Sequence, residues 1–170
     1  RPNIKEFTRT FSIGDQQVMI RNDKSLHLDC GHRMDLFNNL NTISEFCMTC
    51  YKIQITVPNL LNLIKLLLIM KKHREKFGPL MKCMVETRAN ISGKFKGFIY
   101  FRSKESMSNH TITIQDILAV NGLSDFTIIT KRGCSEFYSE YPNYKNINFN
   151  FKEVYLNREW QKKESDFRRR

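Results

Sequence analysis

One junction limits the folds open to this chain. The stretch YKIQITV (Tyr51–Val57) alternates Tyr51, Ile53, Ile55 and Val57 with Lys52, Gln54 and Thr56, and after only Pro58 and Asn59 the run LLNLIKLLLIM begins. Period-two alternation marks a strand with one buried face. The following run, Leu60–Met70, is 11 residues and is interrupted only by Asn62 and Lys65. That is too short for a bilayer, which needs roughly 20 residues, so it reads as a buried helix. Pro58 suits a helix start, the cations of KKHREK from Lys71 suit its last turn, and Gly78-Pro79 ends it. The expectation is one helix of about five turns with a basic end.

Further strand signals follow. MKCMVETR (Met81–Arg88), KFKGFIYF (Lys94–Phe101) and FTIITKR (Phe126–Arg132) read as strands, and IQDILAV (Ile114–Val120) reads as a short helix stopped by Asn121-Gly122. The order β-α-β-β-α-β is the split arrangement of ferredoxin-like domains. The expected fold is therefore α+β: a ferredoxin-like core over 51–132, an N-terminal segment 1–50, and a basic aromatic extension 133–170 with an amphipathic helix around Val154–Phe167. Helices on one face of the sheet would leave the other face free for a partner.

Twenty-eight Lys and Arg oppose seventeen Asp and Glu, a net charge of +11. Such an excess attracts polyanions, because each neutralised phosphate releases condensed counterions. RNA or another nucleic acid within a large complex, together with that complex's protein subunits, is the expected partner set. No transmembrane segment is expected. No signal-peptide pattern stands at the N-terminus, and the start at Arg1-Pro2 fits a leader already removed. The five cysteines, an odd number, fit a reducing intracellular compartment, a mitochondrion or another organelle included, better than a disulfide framework.

Three of those cysteines fall between Cys30 and Cys50. Cys30 and His32 form C-x-H, and after residues 33–46 Cys47 and Cys50 form C-x-x-C. Paired soft or borderline ligands on tight turns supply tetrahedral zinc geometry, so Cys30, His32, Cys47 and Cys50 are the candidate ligands of one Zn2+. All four positions would be filled by protein groups, which makes the ion structural. LDCGHRMDLF and CMTC resemble the two ligand pairs that hold one ion in a RING finger. The ligands of the second RING ion are absent, so the resemblance implies a single zinc knuckle and no ubiquitin-ligase activity.

KFKGFIYF resembles the first consensus octapeptide of RNA-recognition motifs at Lys94, Gly97, Phe98, Ile99 and Phe101, while Phe95 and Lys96 depart from it. Phe98 and Tyr100 are the candidate base-stacking residues. Lys71, Lys72, Arg74, Lys94, Lys96, Arg102, Arg168, Arg169 and Arg170 are the candidate phosphate contacts. Cys134, preceded by Lys131 and Arg132, is the candidate nucleophile of a different reading, a cysteine-dependent enzyme with His73 or His110 as base. No phosphate loop, nucleophile elbow or dinucleotide fingerprint is present. The expected function is a non-catalytic, zinc-binding, basic subunit of a nucleoprotein assembly such as an organellar ribosome or a transcription complex. The alternative is a protein–protein scaffold or assembly factor.

Overall fold

The computed structural model describes residues 17–21, 30–89, 91–155 and 157–168. Alternation in Tyr51–Val57 is realised as strand β2, flanked by β1 (Gln17–Arg21), β3 (Leu80–Val85), β4 (Phe95–Phe101) and β5 (Thr127–Arg132). The sheet order is β1-β3-β4-β2-β5, with every neighbouring pair antiparallel. Seven helices accompany it among the described residues: α1 (Cys30–Leu40), α2 (Glu45–Met48), α3 (Leu60–Lys72), α4 (Arg74–Phe77), α5 (Lys104–Val120), α6 (Phe151–Tyr155) and α7 (Arg158–Arg168). The chain is thus mixed α+β. Helix α3 joins β2 to β3 and α5 joins β4 to β5, which puts β4 between the two strands that α3 connects.

Ile53, Ile55 and Val57 point to one side of the sheet, where they meet Leu66, Leu67 and Met70 of α3 and Met107, Ile114 and Leu118 of α5. Burial of this apolar layer is the main source of stability, at about 25 cal/mol per Å² removed from water. The helix expected to run on to Phe77 is instead two. His73 (φ −110°, ψ 25°) breaks the ladder, and the four-residue α4 follows. Asn59, not Pro58, is the N-cap of α3, its side chain accepting from the Asn62 N–H at 2.9 Å.

Helix α5 begins ten residues before the expected start at Ile114. Its cap is Ser103, whose Oγ accepts from the Ser106 N–H at 3.1 Å. Its end is a Schellman turn. Leu123 N–H donates to Leu118 O (3.0 Å) and Gly122 N–H to Ala119 O (2.9 Å), with Gly122 at φ +73°. The segment before Tyr51 also contributes to the sheet, since β1 pairs along β3 from Gln17↔Met84 to Arg21↔Leu80.

A second core lies beyond the sheet. Ile43, Cys47 and Met48 pack with Phe137, Tyr144 and Phe151, ringed by Phe37, Tyr141 and Trp160. The C-terminal extension therefore folds back on the N-terminal helices. It contains two 3-10 turns (Ser135–Tyr138 and Pro142–Lys145), α6 and α7, where one helix around Val154–Phe167 was expected. Arg132, 1% exposed, joins the two cores by donating to the carbonyls of Met48 (2.6 Å), Asn146 (3.3 Å) and Phe149.

Candidate functional site on the open sheet face

The polar positions of the alternating strands meet on the face opposite α3 and α5. Lys52 of β2 stands across from Tyr100 of β4 and Lys131 of β5, and Lys82 of β3 stands across from Phe98. These residues line a cavity of about 170 Å³, which the thiol-bearing residues Cys30, Cys47, Cys50 and Cys134 also border. The ring of Phe98 is its floor. The ammonium groups of Lys52, Lys82 and Lys131 lie 4.9, 5.5 and 6.0 Å from the ring centroid. Attraction of a cation to an aromatic face is worth about 0.5–2 kcal/mol, which holds the lysines in place without neutralising them.

No carboxylate among the described residues reaches them within ion-pair distance. Among the described residues, none of the three makes an ion pair, and Lys82 bonds only the Gln17 amide oxygen at 3.1 Å. Burial lowers the pKa of each, bringing Lys131 to about 8. Lys96 differs, since its ammonium lies 3.7 Å from Glu86. The Arg88 guanidinium, bonded to Glu86 at 2.8 and 2.9 Å, holds that carboxyl at about 2. Glu136 borders the same cavity and partly offsets the three partly desolvated cations, but it makes no ion pair with any of them, so positive charge is in excess there.

Thiols gather at one end of the same cavity. Cys50 leads into β2, and Gly133, just past β5, donates its N–H to Cys50 O at 2.9 Å. A Cβ on Gly133 would lie 2.6 Å from Cys50 Sγ, so only glycine allows this approach. The next residue, Cys134, borders the same cavity beside Cys47. Interaction between the two thiols lowers the pKa of Cys134 and raises that of Cys47, the latter helped by burial. Burial pushes Cys50 to about 12 and also raises Cys30. All five cysteines are free thiols. Among the described residues, no group of three or more His, Cys, Asp or Glu side chains is placed so as to hold a metal ion.

His32 is elsewhere. Its ring lies 4.9 Å from that of Phe167, beside a separate cavity bordered by Ser44, Glu164 and Arg168. The other residues singled out from sequence are dispersed. Lys71, Lys72 and Arg74 sit at the α3–α4 end, with Lys72 3.5 Å from the Asn121 side chain. Lys94 is exposed beside Phe95. Arg102 stacks at 3.7 Å on Phe46 and donates to its carbonyl. Arg168 pairs with Glu164 at 2.6 Å, and Arg169 and Arg170 lie outside the described residues. Phe98 and Tyr100 are only 6% and 9% exposed, so they form a floor, not a stacking platform. His73 contacts Asn121, and His110 contacts Phe101 and Ser106. Both are on the helical side of the sheet, so neither meets Cys134.

Lys52 and Lys82 were missed at the level of sequence, and Lys131 was noticed only as a neighbour of Cys134. Their signal was the alternation itself, since a lysine between buried residues of a strand must face the opposite side. No protein-family model, curated protein or solved structure matches the chain. No helix among the described residues is long and apolar enough to cross a membrane.

Proposed function

We propose that this chain is a non-catalytic, zinc-binding, basic subunit of a nucleoprotein assembly, and that its open sheet face receives the phosphate backbone of RNA or another nucleic acid. The observation that carries this reading is the set of Lys52, Lys82 and Lys131 around Phe98, none of which makes an ion pair among the described residues. The net charge of +11 supplies the long-range attraction. The strand order and the two crossover helices support a ferredoxin-like core, in which the face without helices is the one left for a ligand. Five free thiols suit a reducing compartment, an organelle included.

The scaffold reading draws on the other side of the molecule. Leu61, Leu68, Ile112 and Val120 on the outer surfaces of α3 and α5 are 74%, 50%, 69% and 86% exposed, an apolar presentation suited to a protein subunit. Both partners fit one assembly, with nucleic acid on the sheet and protein on the helices.

The test is binding of a short single-stranded RNA by fluorescence anisotropy across a salt series. Each neutralised phosphate contributes a slope of about −0.7 in log K against log salt. Replacing Lys52, Lys82 and Lys131 together by Gln should flatten the slope by about 2. The same change at Lys71 and Lys72 should leave most of it. No binding by the unaltered chain even at low salt would leave the scaffold as the better reading.

A further inference from the structure

We propose that Cys30, Cys47, Cys50 and Cys134 form a four-thiolate zinc site, with His32 outside it. The inference rests on the reading that the chain holds zinc, and it changes the ligand set. Spacing alone pairs Cys30 with His32, but both lie in the first turn of α1. Residues two apart on a helix project about 200° from each other around the axis, so they cannot turn to a common ion. His32 accordingly faces Phe167 while Cys30 borders the sheet cavity.

Cys47 and Cys50 suit a shared ion better. The Cys50 N–H donates to Cys47 O at 3.2 Å, a turn that brings positions three apart to one side. The fourth ligand comes from the far end of the chain. Pairing of Gly133 with Cys50 delivers Cys134 to the same corner, where it borders one cavity with Cys30, Cys47 and Cys50. A tetrahedral ion with Zn–S bonds of about 2.3 Å needs its sulfurs about 3.8 Å apart. Each cysteine sulfur moves on one side-chain torsion among three staggered positions, so rotation of that torsion is the closing motion.

The surroundings are built for the resulting charge. Binding Zn2+ to four thiols releases four protons to solvent and leaves a centre with two net negative charges. Arg33, Lys52 and Lys82 border the same cavity as the four cysteines and set positive charge beside them. Arg33 adds an independent sign, because its buried Nη1 has no hydrogen-bond partner among the described residues and its side chain borders the cavity. A buried guanidinium N–H without an acceptor is costly, and a thiolate sulfur is the acceptor nearest in chemistry. Lys131, with Lys52 and Lys82, keeps the pocket positive after the metal is bound, so zinc and an external phosphate are compatible.

The experiment is zinc-edge X-ray absorption on the full chain reconstituted with zinc alone, joined to zinc content after dialysis of the His32→Asn and Cys134→Ser variants. The expected result is four sulfurs at about 2.3 Å and no nitrogen at about 2.0–2.1 Å. His32→Asn should keep one zinc per chain and Cys134→Ser should lose it. Three sulfurs plus one nitrogen, with His32→Asn losing the metal and Cys134→Ser retaining it, overturns the ligand set but leaves the zinc reading standing. An unaltered chain that takes up no zinc overturns both. The absorption spectrum of the unaltered chain decides the matter even if Cys134→Ser fails to fold.

Discussion

Arg132→Met should be the most damaging single change that touches no ligand candidate. The guanidinium is buried between the sheet and the second core, over the rings of Tyr51 (4.9 Å) and Tyr144 (5.4 Å). Its three bonds reach carbonyls of Met48, Asn146 and Phe149, two of them in the C-terminal extension. Hydrogen bonds from a charged donor are worth about 1.5–3 kcal/mol each, a gross loss of about 5–9 kcal/mol. Methionine recovers several kcal/mol of guanidinium desolvation and keeps part of the apolar contact, so the net loss should be about 3–5 kcal/mol. A domain's whole stability is about 5–15 kcal/mol, so the extension should detach at mild denaturant. The single tryptophan, Trp160, packs on Tyr141 at 5.3 Å and reports on that extension, while far-ultraviolet circular dichroism reports on the whole chain. In urea the two signals should coincide for the unaltered chain and separate for the variant, with the Trp160 transition first. A loss below about 1 kcal/mol, or two separate transitions before any substitution, would refute the view that Arg132 couples the cores.

Two further outcomes follow from titrating groups. With its folded pKa lowered to about 8 from 10.5, Lys131 is about nine-tenths charged at pH 7 and about one-tenth at pH 9. RNA affinity should therefore fall as pH rises through about 8, and Lys131→Gln should flatten that profile. The linkage runs the other way for stability, since the penalty of holding Lys131 charged is present below pH 8 and is relieved toward pH 10.5. Glu164 accepts from Ser44 Oγ (2.8 Å) and the Glu45 N–H (2.9 Å), tying α7 to the start of α2. Burial raises its pKa, but those bonds and Arg168 outweigh that and hold it below 4.5. Its contribution should be full above that pH and vanish as pH falls below it. Glu164→Gln should remove this acid sensitivity from the Trp160 signal, and an unchanged acid transition would exclude the tether.

What could be read from the chain was local and periodic. Tyr51–Val57 was legible because its apolar and polar residues alternate between the two faces of the sheet, although Lys52 and Gln54 are buried too, and the Asn121-Gly122 stop because only a left-handed residue closes that turn. The first ten residues of α5 were not legible. Thr and Ile at 111–114 favour strands, and the cap at Ser103 lacks the acidic partner that usually advertises a helix start. Packing of Met107, a full three turns before Leu118, outweighs that local preference. Strand β1 was hidden for a different reason. Val18 and Ile20 alternate over only five residues, and the edge of β3 supplies the rest of the reason for a strand there.

The site was half legible for a related reason. Spacing rules for metal ligands treat a short gap as a tight turn, and C-x-H at 30–32 satisfies the rule on paper while the backbone there is helical. The gap between Cys50 and Cys134 obeys no spacing rule, because β5 returning beside β2 closes it. Charge behaves likewise. A net +11 says that a polyanion would be attracted but not where, and several prominent cations prove to be engaged: Lys96 by Glu86, Arg168 by Glu164, Arg102 by Phe46. The cations left facing a cavity are those interleaved with buried strand residues, where desolvation and the lack of an ion pair together raise the free energy of their charged forms. On the proposed reading, a phosphate would offset that cost by meeting all three lysines at once. Substitution of any one of them should therefore weaken RNA binding by more than its loss from an exposed helix end such as Lys71 or Lys72.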